Sequence, residues 1–164
     1  MMSVKTIIVR WEGPHTLESV GSTGLGNGLY FLSGRARYER TDQIQYFGIT
    51  TREYRDRIKQ DHQALARIRE DTLGIWLGQL EYPRRVTADH LKLAEACLIY
   101  FWQPNLNKIG KIRPSEPVCL VSRWTKTDGS VRRRRGSVYK ALPDVLWWDN
   151  EYWRTANLRL EQDS

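Results

Sequence analysis

A single acidic side chain, Glu95, interrupts the apolar run LAEACLIYFWQPN at residues 93–105. The run predicts a helix, because Thr87 can act as an N-cap and Pro104 cannot continue a helix. Such a helix places Glu95 on one face with apolar residues, namely Leu91, Leu98, Ile99 and Trp102. A carboxylate on a packed face must pair with a cation, bind a metal ion or become protonated, because an unpaired buried charge is too costly. The helix alone leaves three interpretations open, namely a half-exposed acid at the edge of the apolar face, a structural ion pair and a catalytic role.

Positive charge is concentrated in residues 111–140, which account for the chain's formal net charge of +7 and include the run Arg132–Arg135. Such a patch is typical of proteins that bind polyanions, with nucleic acids first and anionic membrane surfaces second. A solvated charged surface is the alternative. The segment lacks the basic amphipathic helix that a membrane-surface protein would need. We therefore expect DNA as a partner and no membrane.

The composition is typical of a folded intracellular protein. Of the 164 residues, 40% are hydrophobic and 11% aromatic, which is enough for a core and too much for a disordered chain. No stretch is apolar enough to span a membrane, and the N-terminal sequence MMSVKTIIVRWEG lacks the features of a signal peptide. The two cysteines, Cys97 and Cys119, predict neither a disulfide framework nor a zinc site. We expect the protein to be cytoplasmic.

The elements around Glu95 are predicted to follow in the order β-β-α-β-α, after a short strand at residues 4–11. They are strands at 29–33 and 44–49, a helix from Arg52 to about Asp71, a strand at 74–82 and a helix at Thr87–Gln103. This order predicts an α+β fold in which a small three-stranded antiparallel sheet is flanked by helices.

The C-terminal part is predicted to extend this fold with a basic hairpin and a helix. Residues 117–125 and 130–139 flank the turn-like sequence KTDG. A helix with an aromatic side is expected from Pro143 to Leu160. The predicted organisation is an N-terminal extension packing on the core, a central domain and a C-terminal extension, at residues 1–27, 28–110 and 111–164.

Three short motifs occur in the central domain in a characteristic order. They are Gly28-Leu29-Tyr30, Tyr46-Phe47-Gly48 and the combination of Glu95 with QPNLN at 103–107, with an arginine-bearing helix between the second and third. In this order, and on these elements, they resemble the GIY-YIG nuclease family. The last motif is similar to the nuclease module of bacterial excision-repair enzymes. The resemblance implies that residues 28–110 form a nuclease domain.

The resemblance also implies a role for each matching residue. Glu95 would ligate one divalent metal ion per active site, either Mg²⁺ or Mn²⁺. Tyr30 would act as a general base or position the attacking water, and Tyr46 would orient the same network. Arg57 would contact the scissile phosphate. Asn107 would hold the site together or donate a hydrogen bond to the phosphate.

Two assignments are left open by the sequence. Arg55 competes with Arg57 for the catalytic arginine, because the stretch after Gly48 is one residue longer than in the excision-repair pattern. Many family members carry a histidine one helical turn after the arginine, where this chain has Asp61 followed by His62. His62 is therefore a candidate for handling the proton of the attack or for contacting the phosphate.

The function predicted from these motifs is hydrolysis of DNA phosphodiester bonds by a metal-dependent endonuclease. The transition state gains negative charge, which a metal ion and a fixed guanidinium would stabilise. A restriction-like, mobile-element or defence role is expected, with repair or recombination as the alternative. The side chains expected to bind the DNA backbone are Arg35, Arg37, Arg132, Arg133, Arg134 and Arg135.

A second hypothesis is a catalytically inactive nucleic-acid-binding module on the same fold. Retention of the tyrosines, the arginine, Glu95 and Asn107 together favours the enzyme. Cleavage of both strands by a single-site fold implies either a homodimer or two sequential nicks. No small-molecule substrate is expected.

Overall fold

The structure of the protein is a computed structural model, in which residues 3–108, 113–132 and 142–158 are described. Within these ranges the chain forms seven strands and three α-helices. The elements are β1 (Lys5–His15), α1 (Leu17–Ser22), β2 (Gly26–Gly34), β3 (Gln43–Glu53), α2 (Tyr54–Arg57), β4 (Gly74–Tyr82), α3 (Ala88–Trp102), β5 (Val118–Thr125), β6 (Val145–Trp148) and β7 (Trp153–Ala156). Two 3₁₀ turns, Leu65–Arg67 and Glu70–Thr72, lie between α2 and β4.

All seven strands belong to one mixed sheet with the order β3-β2-β4-β1-β5-β6-β7. The prediction of a small three-stranded antiparallel sheet is therefore wrong, although the fold is α+β overall. The three predicted strands do pair antiparallel in the order β3-β2-β4. The other edge of β4, however, pairs antiparallel with β1, and β1 pairs in parallel with β5. Because β1 lies in the middle of the sheet, its side chains Ile7, Val9 and Trp11 are fully buried.

The predicted C-terminal helix from Pro143 to Leu160 is also wrong, because this segment forms the hairpin β6-β7. A carboxylate oxygen of Asp149 accepts hydrogen bonds from the backbone N–H groups of Glu151 and Tyr152, at 2.9 and 2.7 Å. Asn150 adopts φ +82°, in the left-handed region that asparagine tolerates in turns. The aromatic residues that suggested a helical stripe alternate along a strand, so that Trp148 is buried and its neighbour Trp147 is half-buried.

The helix predicted from Arg52 to about Asp71 is limited to α2, which is four residues long. It ends at Arg57, and the next residue, Ile58, has an extended backbone. The 3₁₀ turns follow. Three apolar side chains of this segment, Tyr54, Ile58 and Ile68, are nevertheless buried, and Leu65 is half-buried. The segment therefore packs against the sheet although most of it is not α-helical.

The basic hairpin is described only in part. The strand β5 forms where it was expected, and the turn closes through a hydrogen bond of 2.8 Å from Lys126 N to Ser130 O. A bridge joins Thr125 and Val131. Residues 133–141, which include most of the predicted second strand, lie outside the described residues.

The helix of Glu95 forms as predicted, from Ala88 to Trp102, with Thr87 as the N-cap. Thr87 and His90 make a capping box, which the sequence interpretation missed, and Gln103 ends the helix with φ +54°. The apolar face of α3 packs on the sheet together with Leu29 and Phe31 of β2. No helix in the described residues is long and apolar enough to cross a membrane.

The opposite face of β2 carries Tyr30 and Leu32, which pack with the residues after β3 in a second cluster. Since side chains alternate along a strand, Tyr30 lies on the other side of the sheet from its neighbours Leu29 and Phe31. Strand β3 forms one edge of the sheet. The candidate site is built at this edge.

Candidate active site

The hydroxyl oxygen of Tyr30 lies 2.9 Å from Nε2 of His62, and both side chains are buried. The other ring nitrogen of His62, Nδ1, accepts a hydrogen bond of 3.2 Å from the backbone N–H of Ala64. A neutral imidazole that accepts at Nδ1 carries its proton on Nε2. His62 therefore donates to the Tyr30 oxygen, which keeps its own proton available for another partner.

Tyr46 completes an aromatic group with these two side chains. Its ring centre lies 5.2 Å from the His62 ring and 6.1 Å from the Tyr30 ring. Gly48, which ends the second motif, makes this arrangement possible. A Cβ atom at position 48 would lie 2.5 Å from the Tyr30 hydroxyl oxygen and would overlap the ring. The glycine is needed because the Tyr30 ring lies directly against the backbone of β3.

The glycine of the first motif has a comparable steric reason. A Cβ atom at Gly28 would overlap the hydroxyl of Tyr54 and lie 2.5 Å from Gly78 O. The Tyr54 hydroxyl donates a hydrogen bond of 2.9 Å to that carbonyl oxygen. Burial raises the pKa of the Tyr54 phenol above its ordinary value, so Tyr54 is a neutral donor that joins α2 to β4.

The guanidinium of Arg57 acts electrostatically on three groups of the site. Burial raises the pKa of the Tyr30 phenol and of the Glu95 carboxyl, and the charge of Arg57 partly offsets this rise. At the His62 imidazole, burial lowers the pKa and Arg57 lowers it further. Arg55, the competing candidate, instead forms an ion pair with Glu53. Arg57, and not Arg55, lines the cleft beside Tyr46 and His62. The geometry therefore favours Arg57 over its competitor.

Burial decides the protonation of Tyr30 and His62. It raises the pKa of the Tyr30 phenol well above its ordinary value, and the neighbouring Tyr46 and Glu95 raise it further. Burial, together with Arg57, lowers the pKa of His62, although Asp61 opposes this change. Both groups are neutral at pH 7. In the protein alone, desolvation of the Tyr30 phenol therefore outweighs the positive charge of Arg57, which favours the phenolate.

The Glu95 carboxyl is half-buried on α3, and burial raises its pKa to about 7. Its charge acts on Tyr30, so the two groups belong to one electrostatic network. No Lys, Arg or His side chain within the described ranges lies within 4.0 Å of this carboxylate. A structural ion pair, one of the alternatives left open by the sequence, is thus not formed by those residues.

In the part of the chain that the structure describes, the Glu95 carboxylate has no Lys, Arg or His counter-charge within 4.0 Å, and burial disfavours its ionised form. A hard divalent cation would supply the missing positive charge and stabilise the carboxylate. One carboxylate with water molecules and a phosphate oxygen is an ordinary ligand set for Mg²⁺. Among the described residues, no cluster of three or more His, Cys, Asp or Glu side chains could hold a metal ion. Glu95 is the residue of this group that would hold such a cation.

Asn107 is buried, and both ends of its side-chain amide bind the backbone of Phe47. Its Oδ1 accepts from Phe47 N and its Nδ2 donates to Phe47 O, each at 2.9 Å. Leu106 N adds a hydrogen bond of 3.2 Å to Gln45 O. The segment after α3 thus pairs with the open edge of β3 as a further strand would. Of the two predicted roles of Asn107, the geometry favours holding the site together.

An open cleft of about 550 Å³ lies beside this group. Its lining includes Tyr46, Arg57, His62 and Asn107, all of which were predicted site residues. It also includes Asn105 and Leu106 of the QPNLN motif, and residues that the motifs did not indicate, namely Gln63, Ala64, Arg67 and Lys108. Lys108 follows directly on QPNLN, which is the only signal in the sequence that could have pointed to it.

The predicted DNA-binding arginines that are described lie outside this lining. Arg35 forms an ion pair of 3.0 Å with Asp42, and Arg37 is exposed with its guanidinium 5.1 Å from the centre of the Tyr38 ring. Arg132 donates a hydrogen bond of 2.8 Å to Gly13 O and lies over the Trp76 ring. The remaining three, Arg133, Arg134 and Arg135, lie outside the described residues.

The arrangement places the Arg57 guanidinium and the His62 ring in one cleft beside the hydrogen-bonded phenol of Tyr30, so it can hold an anion such as a phosphate there. The five residues Tyr30, Tyr46, Arg57, His62 and Glu95 come from four separate elements, β2, β3, α2 and α3, and the turn after α2, and the fold brings them into one network. Comparisons of the chain with protein-family models, curated proteins and solved structures gave no match.

Proposed function

We propose that this protein is a divalent-metal-dependent endonuclease that hydrolyses DNA phosphodiester bonds. The observation that carries the proposal is the contact between Tyr30 and His62 beside Tyr46, in a network where one guanidinium, that of Arg57, acts on Tyr30, His62 and Glu95 together. Of these residues, Tyr46, Arg57 and His62 line the cleft, whereas Tyr30 and Glu95 are not among its lining residues. Titratable groups with perturbed pKa values at a cleft favour a catalytic site. The motif resemblance to GIY-YIG nucleases supports the same conclusion independently of this geometry.

In the proposed mechanism, His62 fixes the Tyr30 hydroxyl by donating Nε2–H to its oxygen. The Tyr30 oxygen then positions the attacking water. When Tyr30 has lost its proton to solvent, the same His62 donor stabilises the phenolate, which takes the proton of the water as the water attacks phosphorus and the bond to the leaving oxygen breaks. Hydrogen bonds to the charged form of a group favour that form. Tyr46 packs against both rings and restricts their orientation.

Arg57 would bind a non-bridging oxygen of the scissile phosphate, where negative charge increases in the transition state. Glu95 would hold the divalent cation. A bound cation supplies Lewis acidity, which stabilises the charge on the phosphate and acidifies a coordinated water. Asn107 acts indirectly by fixing the edge strand that carries Tyr46.

The first test is cleavage of supercoiled plasmid with Mg²⁺ or Mn²⁺, with and without a chelator. The wild-type protein should nick or linearise the plasmid only with metal, and folded Glu95→Gln should be inactive. Glu18→Gln, which changes an exposed acid on α1, is the matched control and should remain active. Cleavage by Glu95→Gln at the wild-type rate would contradict the proposal.

The second hypothesis, a catalytically inactive nucleic-acid-binding module, predicts a different outcome. Both the wild type and Glu95→Gln would then bind DNA with the same salt dependence, and neither would cut it with any divalent metal. The protonated state of Tyr30 in the absence of metal is compatible with that hypothesis. Metal-dependent cleavage by the wild type would exclude it.

A further inference from the structure

The cleft beside Tyr30 and His62 is lined by two distant parts of the chain. The end of α2 and the turn after it contribute Arg57, His62, Gln63, Ala64 and Arg67, and the segment after α3 contributes Asn105 to Lys108. Tyr46 of the edge strand also lines the cleft. A groove open at the edge of a sheet can admit a chain that continues beyond the site on both sides.

The lining is strongly asymmetric in charge. Three cations, Arg57, Arg67 and Lys108, line the cleft, and no acidic residue of the described chain does. Within the described ranges, no acidic oxygen lies within 4.0 Å of any of the three. Cations of the same sign around one cleft repel each other and attract anions. The groove therefore favours an anionic ligand over an apolar or neutral one.

Arg67 and Lys108, the two cations that the motifs did not indicate, extend from backbone that hydrogen bonds hold in place. Arg67 ends a 3₁₀ turn in which its N–H donates to Ala64 O at 3.1 Å, and the next residue, Ile68, is buried. Lys108 follows Asn107, whose amide is fixed to β3 by two hydrogen bonds. Such anchoring fixes the backbone from which both side chains extend at the cleft before a ligand binds, which lowers the entropic cost of binding.

We propose that Arg67 and Lys108 form a phosphate-binding subsite for the DNA strand next to the scissile phosphate. The inference rests on the proposed function for the identity of the ligand and deepens it by naming the residues that hold the strand. It adds to the predicted DNA contacts, of which Arg35 and Arg132 have partners within the fold. Neither Arg67 nor Lys108 is a proposed metal ligand, so the subsite can be tested without metal.

The test is DNA binding by the full chain in the presence of a chelator, so that no cleavage interferes. Fluorescence anisotropy with a labelled duplex would give the dissociation constant at several salt concentrations. Each cation that contacts a phosphate adds about 1 to the slope of log K against log salt. Arg67→Gln and Lys108→Gln should each weaken binding and lower that slope by about 1, and the double variant by about 2.

Matched controls exist close by in the structure. Arg69, two residues after Arg67, is exposed and paired with Asp71, and Lys92 is an exposed lysine on α3. Arg69→Gln and Lys92→Gln change the net charge equally and should leave the slope nearly unchanged. Thermal unfolding adds a second readout. Arg67→Gln and Lys108→Gln should keep or raise the melting temperature of the free protein, because they relieve repulsion, and DNA should raise it less than in the wild type.

Three outcomes would overturn the subsite. Unchanged affinity and slope in the double variant would show that no phosphate contacts these residues. Equal losses in the Arg69 and Lys92 controls would show that only overall charge matters. A clear loss of thermal stability in the single variants would indicate a structural role. None of these results depends on whether the protein cuts DNA, so failure of the subsite and failure of the nuclease proposal can be distinguished.

Discussion

The Tyr30 hydroxyl accepts a hydrogen bond from Nε2 of His62 at 2.9 Å, although the two residues are 32 positions apart in the sequence. His62 was an open candidate because it stands one position later than the histidine of the family pattern. Because α2 ends at Arg57, residues 58–62 are not α-helical, and the helical spacing between the arginine and the histidine does not apply here. His62 reaches Tyr30 because Ala64 N–H fixes its ring from the other side.

The first prediction concerns the Tyr30 hydroxyl. Tyr30→Phe should lower the single-turnover cleavage rate about 100-fold or more, because the oxygen that positions the water is lost. The buried N–H of His62 loses its acceptor, which should cost about 1 to 3 kcal/mol of unfolding free energy. Tyr54→Phe is the control, since it removes a buried hydroxyl bound to Gly78 O outside the cleft. It should lose comparable stability and keep its activity.

Two results would contradict this prediction. Full activity in Tyr30→Phe would show that the hydroxyl takes no part in the chemistry. Equal loss of activity in folded Tyr54→Phe would indicate a general response to lost packing rather than a role of Tyr30.

The second prediction concerns the pH dependence contributed by His62. Burial and Arg57 lower its pKa in the folded protein below the ordinary value of about 6.5. The unfolded chain therefore binds a proton first as the pH falls below about 6.5, so His62 reduces the stability of the protein progressively down to its folded pKa. Urea unfolding between pH 5 and 8 should show that wild type loses stability relative to His62→Gln on the acidic side. A constant difference across this range would contradict the assignment.

The third prediction concerns metal binding at Glu95. Because its carboxyl has a pKa of about 7, protons compete with the metal below that pH. Mn²⁺ affinity measured by calorimetry should fall about tenfold per pH unit below pH 7 and be nearly constant above pH 8. Glu95→Gln should lose this binding, whereas Glu18→Gln should retain it. Affinity that does not depend on pH, or that survives in Glu95→Gln, would place the metal elsewhere.

The fourth prediction concerns Asn107. Asn107→Ala removes both hydrogen bonds to the backbone of Phe47 and should lower the unfolding free energy by about 2 kcal/mol or more. Asn107→Asp keeps the acceptor for Phe47 N but places an anion against Phe47 O, so it should also destabilise at pH 7. Asn105→Ala, at an exposed neighbouring position, should change stability little. Chemical denaturation of the three variants checks this, and similar values for all three would contradict the edge-strand role.

The fifth prediction concerns Gly48. A methyl group at this position would overlap the Tyr30 ring, so Gly48→Ala should displace Tyr30 or separate β3 from β2. Overpacking of this kind typically costs about 1 to 3 kcal/mol. Gly24→Ala, where nothing lies within 4 Å of the added atom, is the control. Unfolding and cleavage assays should show losses only for Gly48→Ala, and a native-like Gly48→Ala would refute the steric reason for the second motif.

Much of the site could be predicted from the sequence because its signals are local. The capped helix of Glu95, the strand at 74–82 and the two tyrosine strands depend on residues close together in the chain, and each formed where the periodicity indicated. Strand β4 has the predicted bounds, because its apolar alternation and flanking turns define both ends.

The sequence by itself determined which side chains are present and which elements carry them. Only the tertiary structure decided that β1 lies between β4 and β5, because strand pairing depends on packing between distant segments and not on local periodicity. The same holds for the hydrogen bond between Tyr30 and His62, and for the two segments with Arg67 and Lys108 that line one cleft. These segments are far apart in the chain, and neither carries a local pattern that indicates its partner. Burial in the folded state then sets the pKa values of the side chains.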